Sequence, residues 1–403
     1  MSNTLDGGSF KQVWAREANR YHAKKDVYRA IANFRFESEL KKGDVVNISY
    51  HGSVYSEPYI RGTAVTPRDL TNSNETLTIN VQRVVPFYVD DMDALQSHID
   101  NIRGYAKKST EALGNFIDGD VLGEVSNADS DVDDGDLGGT NDNGLALTTS
   151  NVLKVFTEAQ EAMQLLNVFN EGDFYAVISP RFQAKLLEYL AGKETVLGDS
   201  TGKNGHIGKF YGFDLYLSNN LTFTADLQIG TLPTAAEIIV INGITLTLSA
   251  SPAANGEMEI TNSAGAFLEN MAVVLNAPTD DIAEAATTGY DAWTVAELGG
   301  AWDGLSATED GATISIKLEG HGWITVSETL SAVADVWTSA KQVEHQVFGK
   351  KKAVDIVLQQ DPKVEIKDVS DKIGKNIIPW MLYGLKTTDA GDAELVDIKC
   401  TWA

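Results

Sequence analysis

The aspartates Asp129, Asp131, Asp133, Asp134 and Asp136 lie in one short stretch between Glu124 and Gly144, the densest set of potential ligands in the chain. The spacing of the first three matches the start of a calcium loop, where alternate carboxylates converge on one ion. The rest of that pattern fails. Asp134 stands where the loop needs glycine, and Thr140 where it needs a bidentate glutamate. The expectation is a solvated acidic loop. A second candidate is the glycine-rich stretch Gly198 to Gly212. A phosphate loop needs four residues between its glycines and a hydroxyl after its lysine. Here three residues separate Gly198 from Gly202, and Asn204 follows Lys203.

Other catalytic patterns are missing. The six histidines (22, 51, 98, 206, 321, 345) are dispersed, with no i, i+4 pair to hold a metal. No His-Glu-x-x-His and no Gly-x-Ser-x-Gly occurs. Cys400, the only cysteine, lies in a strand pattern and reads as a packed core thiol. It also excludes an internal disulfide, which suits a reducing compartment. The expectation is a chain that is not an enzyme, with no catalytic residues, no cofactor and no metal.

A chain of 403 residues can hold two or three domains and a large core. No apolar run approaches the roughly 20 residues of a membrane span, and no apolar signal core opens the sequence. The formal charge of −25 argues against a reader of nucleic acid. It is unevenly spread. Residues 1–42 hold nine Lys or Arg against five acids, a local +4, which leaves −29 on the remainder. A mildly basic arm on a strongly acidic body is the pattern.

The element that orders the rest runs from Thr76 to Phe116. Leu77, Ile79 and Val81 alternate with Thr78, Asn80 and Gln82 as in a half-buried strand, which Pro86 ends. Then Met92, Leu95, Ile99, Ile102, Ala106 and Leu113 mark one face of a helix, with Asp90 as its N-cap. Running from about 91 to 117, it would be roughly 40 Å long. Upstream, Val45 to Tyr50 alternates and can pair with Thr76 to Gln82. The intervening stretch has Tyr55, Tyr59 and Ile60 but no periodicity and no core of its own. A lone ribbon is marginal in water, so this one is expected to project onto another copy of the chain.

Downstream come a helix from about Asn151 to Val168 with Ser150 as its cap, a buried strand Phe174 to Ile178, and a helix opened by Ser179-Pro180. A strand is expected over Phe210 to Ser218. From Asp226 to Ala334 the composition shifts to fifteen acids and one base, Lys317. Asn242-Gly243 between two apolar runs signals a type I′ hairpin. A helix at Ala264 to Leu275 and strands at Thr313 to Leu318 and Trp323 to Val326 complete an inserted β-rich subdomain. A helix is expected over Ala332 to Val347. Closing strands follow at Val354 to Leu358, Val364 to Ile366, Trp380 to Leu385 and Leu395 to Cys400.

This order of elements resembles the major capsid (coat) proteins of tailed bacteriophages, whose fold is shared with encapsulins and herpesvirus capsid floors. The resemblance rests on the aromatic arm ending in Lys42-Gly43-Asp44-Val45-Val46, the extended loop, and the Asp-rich start of a long helix. It continues in Tyr175-Ala-Val-Ile-Ser-Pro180, in Gly208-Lys-Phe-Tyr-Gly-Phe213 running to Ser218-Asn219-Asn220, and in Met381-Leu-Tyr-Gly-Leu-Lys386. It covers nearly all of the chain except 226–334.

The resemblance implies an α+β fold divided into an N-terminal arm (1–42), an extended loop (43–75), and a peripheral strand and spine helix (76–125). An axial domain (126–225), the inserted β-rich subdomain (226–334) and a return to the axial and peripheral domains (335–403) would follow. It implies a structural subunit that self-assembles through hexamers and pentamers into the icosahedral head shell of a virion. Such a shell is assembled in the host bacterial cytoplasm and encloses weakly contacted double-stranded DNA. A separate scaffolding protein, a portal and a decoration protein are the implied partners, with no membrane. The expected intersubunit contacts are Trp14, Tyr50, Tyr55, Tyr59, Arg61 and Arg68. Some members of the family join an extended-loop lysine to a neighbour's asparagine, but no lysine lies between Gly43 and Ala106 here. The alternatives are an encapsulin-like compartment, or a carbohydrate-binding or hydrolytic protein using Trp293, Trp302 and Trp323 as a sugar-stacking face.

Overall fold

The strand Val343–Lys350 is buried along nearly its whole length, and the larger sheet is built around it. The computed structural model describes residues 24, 26–37, 43–51, 54, 56–65, 69, 72–92, 101–169, 172–191, 208–252, 254–260, 263–279, 292–332, 336–369 and 373–402. The sequence pattern at Ala332 to Val347 imitates a helix, yet among the described residues of that span the chain makes only a short 3-10 turn, Ser339–Lys341, before this strand. The β-branched Val343 and Val347 fit a strand buried on both faces, and that tertiary setting overrides the spacing.

Packing divides the chain into two units. The described residues of the first fall in Ile79–Gly114 and Leu358–Gly384. In it, the short strands Val81–Val84 and Phe87–Asp90 flank Pro86 and pair antiparallel with the long strand Gly374–Thr387. A second long strand, Val354–Asp368, lies beside that one, so two separately expected short strands are continuous. Asp90 caps a helical start as expected, accepting a hydrogen bond from Met92 N at 2.8 Å. Met92, assigned to the apolar stripe, is instead 60 % exposed. The rest of that helix's opening, 93–100, lies outside the described residues.

The long helix is Asn101–Gly123, extended by a 3-10 turn to Asn127. It outruns its expected end because Leu113, Ile117, Val121 and Leu122 carry one buried stripe past the poor helix formers Asp118, Gly119 and Asp120.

The second unit holds the large sheet. Leu395–Thr401 flanks one side of the central strand. On its other side Thr222–Gln228 pairs with the first half, and Phe174–Ile178 with the second. The helices Val152–Leu165 and Pro180–Ala191 share an apolar core with this sheet, centred on Phe156, whose ring lies 4.9 Å from Phe210 and 5.1 Å from Phe348. Ser179 Oγ accepts from Phe182 N (3.3 Å), the cap that Ser-Pro foretold. The N-cap position falls on Asn151 rather than the expected Ser150, and its side chain caps no helical N–H; its Oδ1 accepts instead from Thr148 N, before the helix. The strand expected over Phe210 to Ser218 breaks at a turn with Tyr211 (φ 48) and Gly212 (φ 85) into Lys209–Phe210 and Phe213–Leu217.

Within 226–334, Ile238–Ile241 and Ile244–Ser249 form the expected hairpin, with φ of 49 at Asn242 and 80 at Gly243. Glu257–Glu259 and Val326–Glu328 complete a four-stranded sheet, and the helix Ala264–Asn276 shares its core. Trp323 is not in a strand. Its backbone N–H donates to Glu344 (3.0 Å), and the strand begins at Val326. The hairpin Leu305–Asp310 and Thr313–Leu318 joins the large sheet through Thr222–Gln228. This core also takes in Phe223 and Trp337, from outside 226–334.

Candidate functional site

The two-stranded ribbon pairs Val45–His51 with Asn72–Thr78, in register from Val45 opposite Thr78 to His51 opposite Asn72. The partner expected from sequence, Thr76 to Gln82, is displaced by four residues. Alternation runs unbroken through Leu77, Ile79 and Val81, but the chain changes partner at Ile79 and Asn80, and Val81 pairs in a different sheet. A period of two cannot reveal a change of neighbour.

Beyond the paired strands every described residue from Val54 to Val65 is exposed. The tip turns at Ile60–Thr63, where Thr63 N donates to Ile60 O (3.1 Å) and Gly62 takes φ +89. Tyr59 is 68 % exposed and Ile60 70 %, with Arg61 exposed beside them. Tyr50 is half-buried in the paired part, its hydroxyl without a hydrogen bond. Trp14, Tyr55 and Arg68 lie outside the described residues. Of the six expected contact residues, then, the ribbon presents Tyr59 and Arg61 together at its tip.

The ribbon meets its own unit through Glu75. Its Oε1 accepts from Asp389 N (3.2 Å), and its Oε2 stands 3.4 Å from Lys386 Nζ. Next to this, Glu124 accepts from Thr387 N (3.0 Å) and Thr387 Oγ1 (2.6 Å). The described N-terminal residues, 24 and 26–37, are held by two buried carboxylates. Asp118, fully buried, accepts from Val27 N and Tyr28 N at 2.7 Å each, from Asn220 Nδ2 at 2.9 Å and from Ser218 Oγ at 3.3 Å. Burial raises its carboxyl from the ordinary value, and these donors pull it back. Lys24 donates to Gly320 O, and burial lowers its ammonium. Asp355 receives Asn33 Nδ2 (2.7 Å) and Arg35 Nη2 (2.5 Å), while Asn33 N donates to Val354 O (2.8 Å) and Ile356 N to Asn33 O (2.9 Å) on either side of it. Sequence reasoning passed over Asp118 although a signal existed: it falls on the same helix face as Leu113, Ile117, Val121 and Leu122, where a carboxylate must be paired.

The acidic loop does converge, since carboxylate oxygens of Asp131, Asp133 and Asp142 lie within 4.8 Å of one another. One lysine and two backbone donors meet part of its charge. Lys399 Nζ lies 2.5 Å from Asp131 and 3.9 Å from Asp142, and both Asp133 oxygens accept backbone N–H groups, from Gly135 and Asp142.

A second chemical geometry was invisible in sequence. Thr224 Oγ1 lies 2.8 Å from His345 Nε2, and His345 Nδ1 2.7 Å from Asp397 Oδ2. The order hydroxyl, imidazole, carboxylate is that of a nucleophilic relay. Here all three sit on adjacent strands with His345 and Asp397 buried, and Thr224 lies within a strand paired on both sides. With the imidazole and the carboxylate buried, these bonds satisfy polar atoms that the sheet would otherwise leave without partners. Cys400 is wholly buried, which raises its thiol well above the ordinary value, as suits a packed thiol. Trp293 and Trp302 are also core residues, edge to face at 4.8 Å, with Trp302 Nε1 donating to Ile241 O. Trp323 packs edge-on against Phe223 at 5.1 Å. These three tryptophans form no exposed sugar-stacking face.

A projecting ribbon, a long helix and a helix-backed sheet with a β-rich elaboration define the α+β fold of tailed-phage major capsid proteins. Along almost its whole length the chain is similar to solved chains of phage particles. A chain of Mycobacterium phage Che8 matches at 14 % identity with a TM-score of 0.59, covering 98 % of each chain. A chain from the capsid of cyanophage P-SCSP1u matches at 14 % and 0.53, covering 98 % of this chain and 94 % of that one. One from the cyanophage Pam1 capsid matches at 10 % and 0.53, covering 99 % of each. The sequence matches no known family profile and no curated protein.

Proposed function

We propose that this chain is a major capsid protein, the structural subunit of an icosahedral tailed-phage head, and that it works by binding copies of itself. The observation that carries this reading is the ribbon: Tyr59 and Ile60 stand exposed on a tip with no core behind it, on a fold shared end to end with capsid chains. An aromatic and an aliphatic side chain beside a cation are the composition of an interface anchor. The tip docks on a neighbouring copy, where Arg61 makes charge-assisted hydrogen bonds to carboxylates of that acidic surface. Residues 1–42 form a second, basic contact arm rooted at Asp118 and Asp355.

Scaffolding, portal and decoration proteins are the further partners, and the enclosed double-stranded DNA is contacted weakly, since a strongly acidic body gains little from phosphates. Residues 226–334 act as an accessory unit on the outer face, where their net charge of −14 keeps particles apart. No helix among the described residues is long and apolar enough to cross a membrane. The test is to replace residues 54–71 by a short Gly-containing turn. The shortened protein is expected to fold and to make no stable shells, and normal assembly would overturn the role of the tip.

A further inference from the structure

The turn between Leu318 and Trp323 sits where three parts of the second unit meet. It follows the strand Thr313–Leu318, faces the long helix, and receives Lys24, the first described residue of the chain. On the helix side there is no room to spare, since a side-chain carbon at Gly119 would lie 2.8 Å from Gly320 Cα. Lys317 Nζ reaches Ser126 Oγ (3.0 Å) and Gly123 O (3.3 Å) and pairs with Glu319 at 2.7 Å. From the N-terminal side, Lys24 Nζ donates to Gly320 O. The next residue, His321, points to the hairpin side. Its Nε2 lies 3.0 Å from Asp303 O, and its Nδ1 lies 3.4 Å from Asn242 Nδ2.

These contacts decide where the ring carries its hydrogen. Asn242 Nδ2 also donates to Ala301 O (2.7 Å), and a carbonyl can only accept, so the amide nitrogen is the atom turned toward His321. Nδ1 therefore accepts from Asn242, and Nε2 carries the hydrogen given to the Asp303 carbonyl. A neutral imidazole satisfies both contacts. An imidazolium does not, because its Nδ1–H would face an N–H of Asn242. It would also place a positive charge one residue from the carbonyl that holds the Lys24 ammonium. The acids close by are committed elsewhere: Glu319 to Lys317, and Asp118, which faces Lys24, to its four donors. We propose that His321 is a latch on the N-terminal segment, closed while its ring is neutral and opened by a proton that breaks the Asn242 contact and drives Lys24 from Gly320. Burial, and then Lys24, hold the imidazole below its ordinary 6.5, against the opposing pull of the Asp303 carbonyl and carboxylate. The unfolded chain thus takes up this proton first. The latch's contribution is complete above pH 6.5 and is lost as pH falls from there through the folded value. It does not depend on the capsid reading, although its effect on contacts between copies would.

Hydrogen exchange of the full-length protein reads the latch in peptides covering 24–32 and 317–325. Protection would be followed from about pH 7.5 down to about pH 4.5 and corrected for intrinsic exchange rates. A several-fold loss of protection in both peptides at the acid end is expected. His321→Gln keeps an amide that can donate to Asp303 O but takes up no proton, so the loss should disappear. A second measurement needs no variant and serves if His321→Gln does not fold. Deuterium uptake at the ring Cε1 of His321, read by mass spectrometry across the same range, gives the protonation midpoint of that histidine. It should fall below 6.5 and coincide with the midpoint at which the two peptides lose protection. Constant protection of the wild-type peptides, a loss that survives His321→Gln, or a loss with a midpoint other than that of His321 would each overturn the latch.

Discussion

Asp118 is the residue on which the arm's placement depends most. Removing its carboxylate strands the N–H groups of Val27 and Tyr28 and frees Asn220 and Ser218. Each stranded buried donor costs about 1–3 kcal/mol, so Asp118→Ala should destabilise the protein by about 2–4 kcal/mol in urea titration. A loss below about 0.5 kcal/mol would mean that the arm root is held by other contacts. Phe156→Ala should cost about 3–5 kcal/mol by the same measurement, because its ring touches four other phenylalanines of the core. The two residues differ in legibility. Phe156 is legible in the sequence as part of the apolar stripe Val152, Val155, Phe156, Ala159 and Met163 of its helix. Asp118, Asp355 and the Thr224, His345, Asp397 relay were not, since each depends on partners far away in the sequence. Short polar motifs cannot announce such contacts, and a carboxylate on an apolar stripe is the nearest thing to a local signal.

Elements with strong local chemistry were legible. The Asn242-Gly243 turn, the strand Phe174–Ile178 and the helix opened by Ser179-Pro180 all stand where turn and cap chemistry put them. Gly243 has φ +80 and open space where a side-chain methyl would stand, so Gly243→Ala is strained by backbone alone. About 1–2 kcal/mol is expected, read as a lowered melting temperature. What was illegible is where a strand changes partner, as at Ile79, and where burial on both faces removes periodicity, as at Val343–Lys350. The ribbon also carries a prediction by omission. With no lysine from Gly43 to Ala106, its cations Arg61 and Arg68 cannot form an isopeptide bond. Particles boiled in detergent should run as a single band near 43.6 kDa. A ladder of multiples would show a covalent link of another origin.

At the scale of the whole molecule, composition indicated a strongly acidic body, and the order of elements indicated the fold. The role of residues 226–334 depends on packing that composition does not report. Their core takes in Phe223 and Trp337, so an excised unit should run from about Leu221 to Thr338 if it is to keep that core. With a formal charge of −25, copies repel one another at long range. Assembly followed by light scattering should therefore quicken as salt rises from about 0.02 M to about 0.2 M, over which the screening length falls to below about 10 Å. The most direct measurement is electron microscopy of the full-length protein, expressed with and without a scaffolding partner. Closed polyhedral shells of five- and six-fold capsomers, with the Tyr59–Arg61 tip lying on a neighbouring copy, are the expected result. A chain that remains monomeric or forms only amorphous aggregate under both conditions would contradict it.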